Sequence, residues 1–399
     1  MGIFKKRTRT ILWVSDMNLA RIISNEHIEY FRRVSLVLDE TNLKIIDSVK
    51  RLGPRNMSKI ARYIGEDPKK VSYRFNMIKT RANLIIRALP SYSSMGLTNT
   101  MVLLPLDHKR VDHVKRILET MRIPKKIYRV FGNMSGIIAQ LIIPNKMIFL
   151  LGEIMRKFLT KEEFEAMRIL YLTDFIFTTP DFSRLSLTYR IWDYAPSELS
   201  RDFLEGKRIS IDESLREVYL DKVDIYILSR LAEDATIPLL KIAEELGTNA
   251  VKIKYHFDNH LIKQGIIRDY SIYFPRYSPE LSGWFFFEFT FDREDYMERF
   301  LYALNKSIYV HAFAKELGKP RVIALLEMFW GDLSDVLQIF SELCVSGYMT
   351  DYKFSYIDLK SISVTNISPD MFDDRIGWNI PRDFGISLKE SSKTAVTIP

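Results

Sequence analysis

Residues 38–90 read LDETNLKIIDSVKRLGPRNMSKIARYIGEDPKKVSYRFNMIKTRANLIIRALP, and residues 220–273 read LDKVDIYILSRLAEDATIPLLKIAEELGTNAVKIKYHFDNHLIKQGIIRDYSIY. The two stretches align without a gap at a constant offset of about 182 residues. Leu38-Asp39 falls on Leu220-Asp221, Ile45 on Ile227, Ile60-Ala61 on Ile242-Ala243, Gly65 on Gly247, Val71 on Ile253, Tyr73 on Tyr255, Phe75 on Phe257 and Ile85 on Ile267. Shared apolar spacing, a shared glycine and two shared aromatics in one register mark an internal duplication, and the rest of the chain is read outward from it.

Each copy has the pattern of three helices and a β extension. In the first, Leu43, Ile46 and Val49 form a helical stripe, residues 57–64 form a second short helix, and Gly65 stops it because glycine tolerates the positive φ of a helix C′ position. Asp67 is a good N-cap and Pro68 suits the first helical position of a third helix, where Val71, Phe75 and Ile78 recur at i, i+4, i+7 and bury one face. The second copy repeats this with residues 241–246, Gly247, the cap candidates Thr248 and Asn249, and Ile253 and Phe257 on the buried face. Helix, glycine turn, helix is the geometry in which the later helix enters the major groove of DNA. Extended segments follow at 83–89 and 265–274, ended near Pro90 and Pro275, as in the strands of a winged helix.

After each unit comes a β-α-β-β-α-β pattern. In the first copy it runs through residues 100–106, 110–121, 127–131, 137–143, 146–158 and 167–177; in the second through 284–291, 294–304, 307–315, 322–329, 333–344 and 348–357. This is the split, ferredoxin-like order, one sheet with two helices on one face. The expected fold class is α+β: two winged helix-turn-helix domains, each followed by a ferredoxin-like domain, arranged as a tandem repeat. The expected boundaries are a basic N-terminal extension (1–35), helix-turn-helix units at 36–92 and 218–275, ferredoxin-like domains at 98–178 and 282–360, a linker at 179–217, and a tail from 361 to 399 that reads as irregular and mobile. In the linker, Leu185, Tyr189, Ile191 and Trp192 suggest packing on a domain. In the extension, Arg21, Arg32 and Arg33 with Ile22, Ile23 and Phe31 suggest a helix near the first DNA-binding unit. The aromatic run Trp284–Phe291 reads as a two-sided apolar strand that fills a core or a sheet-to-sheet interface.

Composition is consistent with a folded, multi-domain chain. The 399 residues are 47% hydrophobic, 13% aromatic and 27% charged. Fifty-eight Lys and Arg against fifty Asp and Glu leave a net charge of +8, so the location of the charge matters more than its sum. A single cysteine, Cys344, excludes an internal disulfide and any cysteine-rich zinc site and fits a reducing compartment. The basic N-terminus is followed by an apolar run too short for a signal peptide, and no segment has the length of a membrane span, so a soluble cytoplasmic protein with no membrane partner is expected.

A helix-turn-helix opening with Leu-Asp, a winged β extension and then a ferredoxin-like domain resembles the leucine-responsive regulator/AsnC (Lrp/AsnC) family of prokaryotic, especially archaeal, transcription factors. The residues that carry the resemblance are Leu38-Asp39, Ile60-Ala61, Gly65 and Val71-x-x-Arg74-Phe75, and again Leu220-Asp221, Ile242-Ala243, Gly247 and Ile253-x-x-His256-Phe257. Gly132-Asn133 and Gly318-Lys319 sit where that family turns between the middle strands of its effector-binding domain. The resemblance implies a transcription regulator whose partners are double-stranded DNA, a small-molecule effector, and a further copy of the chain joined through the ferredoxin-like sheets. Family members normally carry one copy and dimerise; here one chain would act as a pseudo-dimer.

With Val71, Phe75 and Ile78 turned inward, Lys69, Lys70, Ser72, Tyr73, Arg74, Asn76 and Lys79 remain as the DNA-contacting candidates: lysines for phosphates, Arg74 and Asn76 for base edges. The competing reading is an ordinary solvated face. Residues 57–90 carry eight basic against two acidic side chains, a net +6, whereas the equivalent 239–272 carry five against four, a net +1. The second unit should therefore grip phosphates more weakly, through Asn249, Lys252, Lys254, Tyr255 and His256, or serve as a scaffold or partner surface. Tyr73 and Tyr255, at equivalent positions, are either a repeated nucleic-acid contact or a pair half-packed on the wings. His256 and His260 stand at i, i+4 without a third ligand in view, so groove or solvent exposure is expected of them, and no metal, cofactor or catalytic group is expected anywhere. A different class of reading comes from siroheme decarboxylases, which share this build, sometimes as fused pairs. That resemblance implies an enzyme of tetrapyrrole metabolism and points to His311 in a middle strand of the second domain. The basic first recognition helix, and the absence of a concentrated His/Arg pocket in the first ferredoxin-like domain, stand against it.

Overall fold

The computed structural model describes residues 25–188, 191–213, 217–274, 276–278 and 280–386. The first unit comprises α1 (Asn25–Leu36), α2 (Glu40–Leu52), α3 (Met57–Ile64), α4 (Pro68–Ala82) and the wing strand β1 (Ile86–Pro90). Asp39 caps α2 by accepting the amide of Asn42, and the apolar stripe foreseen for this helix is buried at Leu43, Ile46 and Val49. Helix α1 packs on α4, with Arg32 exposed. The rest of the basic extension, including Arg21, Ile22 and Ile23, lies outside the described residues.

The first ferredoxin-like domain runs β2 (Leu97–Pro105), α5 (His108–Thr120), β3 (Lys125–Gly132), β4 (Gly136–Pro144), α6 (Leu150–Arg156), α7 (Lys161–Ala166) and β5 (Arg168–Leu172). Two expectations are corrected here. The helix expected at 146–158 is shorter, α6 following a 3-10 turn at Asn145–Met147, and α7 starts anew beyond it, where Thr160 and Glu163 form a capping box. The single strand at 167–177 is broken: β5 stays in its own sheet, while β6 (Ile176–Phe177) crosses to the other domain.

The linker contributes β7 (Leu185–Ser186), β8 (Ile191–Trp192) and α8 (Ser197–Leu204). Trp192 is buried against Phe182 and Phe274 and donates from its indole nitrogen to the carbonyl of Arg276. The second unit has α9 (Lys222–Glu233), α10 (Leu239–Glu245), α11 (Ala250–Tyr255) running into a π-helix (His256–Ile262), and β9 (Ile267–Ile272). Its ferredoxin-like domain has β10 (Ser282–Thr290), α12 (Glu294–Lys306), β11 (Val310–Lys315), β12 (Arg321–Phe329), α13 (Leu333–Val345) and β13 (Asp351–Thr365), with α8 packed on both helices. The tail continues with β14 (Phe372–Asp373) and β15 (Gly377–Trp378). The expectation of an irregular, mobile tail is corrected up to residue 386. Phe384 is fully buried in the first domain's core, its carbonyl accepts from the Arg122 amide, and Trp378 donates to the carbonyl of Met95.

The two halves are joined by strand pairing in three places. The wings β1 and β9 form an antiparallel ribbon, and a helix of each unit packs on the other unit's wing, α2 on β9 and α9 on β1. The two ferredoxin-like sheets merge into one nine-stranded sheet, ordered β5-β2-β4-β3-β13-β10-β12-β11-β6. The fourth strand of the second domain, β13, pairs with β3, and β6 pairs with β11. Backbone bonds between Thr173 and Lys315 and between Leu317 and Tyr171 bring the two ends of the sheet together. The surface they enclose, including Met101, Val130, Ile138, Phe286, Ala312 and Ile357, is a buried apolar core. Strand β10 is apolar on both sides for this reason: Phe285, Phe287 and Phe289 meet the second domain's helices, and Phe286 faces the shared core. The sheets of the two ferredoxin-like domains thus mate with each other within one chain.

Candidate nucleic-acid interface

Helix α3 is fixed at both ends and α4 at its start. Asn56 caps α3 by accepting the Lys59 amide at 2.9 Å, and Gly65 ends α3 at φ 72°. Asp67 accepts the amides of Lys69 and Lys70 at 2.9 and 3.0 Å, with Pro68 at the first helical position. Ile60, Ala61, Val71, Phe75 and Ile78 are buried, which fixes the rotation of both helices. The opposite face presents Lys59, Arg62, Tyr63, Lys69, Lys70, Tyr73, Asn76 and Arg81 to solvent. Within this face Lys70 meets Glu66 at 2.7 Å, an exposed pair that holds its ammonium only loosely. The amide end of α4 adds a partial positive charge beside Lys69 and Lys70.

Two of the candidates from the sequence point elsewhere. Arg74 is turned back onto the start of α2, with Nη1 2.6 Å from Asp39 Oδ2 and 3.1 Å from Asn42 Oδ1. It braces α4 against the cap of α2, a role hidden in the sequence because the partners are 35 and 32 residues away. Lys79 is half-buried and reaches Asp234 at 3.3 Å and the hydroxyl of Thr236, so it ties the first unit to the second. Ser72 is half-buried. Conversely, Lys59 and Arg62 on α3 lie on the exposed face and were missed as individual candidates; the charge count over 57–90 was the signal that contained them.

In the second unit Asn249 caps α11 by accepting the Lys252 amide at 2.8 Å, and Lys252 and Lys254 are exposed, Lys254 paired with Asp258. Tyr73 and Tyr255, 69% and 57% exposed, project from the surface and do not pack on the wings. The surroundings differ from those of the first unit. Leu240 and Val251 are exposed where the first unit has Ser58 and Lys69, and Glu244 replaces Arg62. The expectation that His256 is open to groove or solvent is corrected: it is buried, 2.9 Å from Asp224, at the position equivalent to Arg74. His260 is half-buried and also meets Asp224, at 3.0 Å.

A second concave feature lies between the wing ribbon and the shared sheet. Lys50, Arg87, Lys126, Tyr128, Trp284 and His311 are among its lining. Burial lowers the Lys126 ammonium to about 8, helped by the neighbouring charge of Arg87. Burial, with the charge of Arg276, pushes the His311 imidazole down to about 4, so it is neutral near pH 7. His311 Nε2 lies 2.7 Å from Glu327, and its ring stacks on Trp284 at 4.1 Å. Lys50 donates to the carbonyl of Phe177 at 2.9 Å. Among the described residues no helix is long and apolar enough to cross a membrane.

No family model and no curated protein matches this chain. Among solved structures, the chain is similar to the siroheme decarboxylase NirDL in complex with an iron-uroporphyrin III analogue, at 12% identity and a TM-score of 0.48 over 82% of this chain and 94% of that one. It is also similar to a transcriptional regulator from Neisseria meningitidis bound to L-Met, at 20% identity and a TM-score of 0.29 over 34% of this chain and 88% of that one. A transcriptional regulatory protein of the AsnC family from Pyrococcus furiosus matches at 22% identity and a TM-score of 0.26 over 34% of this chain and 87% of that one. These likenesses are of fold.

Proposed function

We propose that the chain is a sequence-specific regulator that binds double-stranded DNA as an intrachain pseudo-dimer, with the first helix-turn-helix as the principal grip. The observation that carries this reading is the exposed cationic face of α3 and α4. Lys59, Arg62, Lys69 and Lys70 stand on it around Tyr73 and Asn76, on helices whose other faces are buried. The lysines position the duplex through phosphates, and Asn76, on the exposed face of α4, is suited to read a base edge. The second unit, with Val251 and Glu244 at equivalent places, contributes less charge, so the preferred site is asymmetric. The cavity beside the wing ribbon suits an effector with an apolar body and an anionic group opposite Lys126 and Arg87. Binding of a duplex library across a salt series tests the reading. Lys69→Ala with Lys70→Ala is expected to reduce the slope of log affinity against log salt by about 1 to 2 and to weaken binding across sequences. Affinity independent of salt, or unchanged in the double variant, would sink it.

One observation favours a second reading, a siroheme decarboxylase-like enzyme: the same cavity gathers three basic side chains and His311, a set that could meet the carboxylates of a tetrapyrrole. Against it, His311 is already engaged by Glu327 and by the Trp284 ring. An absorbance titration with an iron tetrapyrrole separates the two readings, because turnover is expected only of the enzyme.

A further inference from the structure

The two helix-turn-helix units brace their recognition helix at the same place with different chemistry. In the first, the guanidinium of Arg74 answers the carboxylate of Asp39 and the amide of Asn42, and Ile78 is buried one turn further on. At the equivalent positions of the second unit stand His256, Asp221, Asp224 and His260. Three changes, Arg to His, Asn to Asp and Ile to His, thus converge on one cluster. They remove a permanent cation, add a second carboxylate and add a second imidazole. Asp224 is fully buried, a costly place for a carboxylate facing another one without a fixed positive charge.

The geometry of the cluster is compact. His256 Nδ1 lies 2.9 Å from Asp224 Oδ1 and 3.6 Å from Asp221 Oδ2, and His260 Nδ1 lies 3.2 Å from Asp224 Oδ1. The four ligand atoms all fall within 4.8 Å of one another. His260 is part of the π-helical turn, which begins at His256. The remaining carboxylate oxygens are held by the reciprocal cap: Asp221 Oδ1 accepts the Asp224 amide at 2.9 Å and Asp224 Oδ2 accepts the Asp221 amide at 3.1 Å. Oriented in this way, Asp221 Oδ2 and Asp224 Oδ1 are directed toward His256, and both Asp224 oxygens face His260, with Oδ2 3.0 Å from its Nδ1.

We propose that Asp221, Asp224, His256 and His260 form a tetrahedral site for a divalent transition-metal ion of the zinc class. Metal–ligand bonds of about 2.0–2.2 Å in a tetrahedron put neighbouring ligand atoms about 3.3 Å apart, close to the 2.9, 3.2 and 3.6 Å nitrogen–oxygen separations within a group that spans at most 4.8 Å. Two imidazole nitrogens and two carboxylate oxygens favour zinc, cobalt or nickel over soft cuprous or hard calcium ions. The ion would take the place of the Arg74 guanidinium, joining α9 to the second recognition helix. The first unit is then braced permanently and the second only when metal is bound. This site does not depend on whether the chain binds DNA.

The test is calorimetric titration of the full chain, stripped with chelator and dialysed, with zinc chloride, and with magnesium chloride as a hard-ion control. One zinc ion per chain is expected, with no comparable magnesium binding, together with a rise in thermal midpoint that chelator reverses. His260→Ile and Asp224→Asn place in the second unit the residues that the first unit folds with, and each is expected to weaken zinc binding at least ten-fold. Circular dichroism identifies which variant is folded, and either folded variant decides the matter. Absence of saturable zinc binding to the native chain would overturn the proposal, as would undiminished binding in a folded variant, which would mean that the histidines only hydrogen-bond to Asp224.

Discussion

Two residues at equivalent positions, Arg74 and His256, show how far a side chain can be read from its neighbours in the chain. The inward set Val71, Phe75 and Ile78 was legible because helical periodicity is local, and all three are buried. The direction of Arg74 was not, because its partners Asp39 and Asn42 come from another helix, brought near only when α2 and α4 pack. Arg74→Ala is therefore expected to lower the stability of the chain by about 1–2 kcal/mol, since it leaves Asp39 and the Asn42 carbonyl without their charged donor. A urea midpoint measured beside DNA affinity checks this. Loss of discrimination at one base position with the midpoint unchanged would instead make Arg74 a base reader.

At the scale of elements, the agreement is best where the pattern is strongly periodic and poorest where an element changes partner. Helices α5, α12 and α13 follow the amphipathic spacing, whereas the helix expected at 146–158 is shorter and the strand expected at 167–177 divides between two sheets. At residues 250–262 the repeat predicted one continuous α-helix, and the structure has six α-helical residues followed by a π-helical turn. Close approach of backbones is a further feature that elements impose on residues. Gly136 opens β4 at φ 147°, where an added Cβ would lie 2.1 Å from the Leu104 carbonyl oxygen. Gly136→Ala is expected to cost about 3 kcal/mol or more by prising β2 from β4. Gly152, in the middle of α6 with open space around it, is expected to behave oppositely, Gly152→Ala adding up to about 1 kcal/mol. Thermal midpoints of the two variants should move in opposite directions, and equal shifts would refute the assignment of strain to Gly136.

At the scale of the whole molecule, the wing ribbon β1-β9, the pairings β3-β13 and β6-β11, and the shared core make the halves interdependent. A first half expressed alone, residues 25–188, would expose the edge of β3 and apolar side chains such as Met101, Val130 and Ile138. It is expected to dimerise or aggregate in light scattering, and a folded monomer would contradict the interdependence. The sequence by itself determined the duplication, the order of helices and strands, the caps at Asp67 and Asn249, and the concentration of charge in the first unit. Each of these follows from periodicity, capping chemistry or composition acting over a few residues. Only the tertiary structure decided that the wings pair with each other, that the two sheets close on one core, that Arg74 and Lys79 turn away from the exposed face, and that Asp221 and Asp224 meet His256 and His260. Those outcomes depend on contacts between residues about thirty to more than two hundred positions apart, and local pattern carries no record of which distant surface will be its partner.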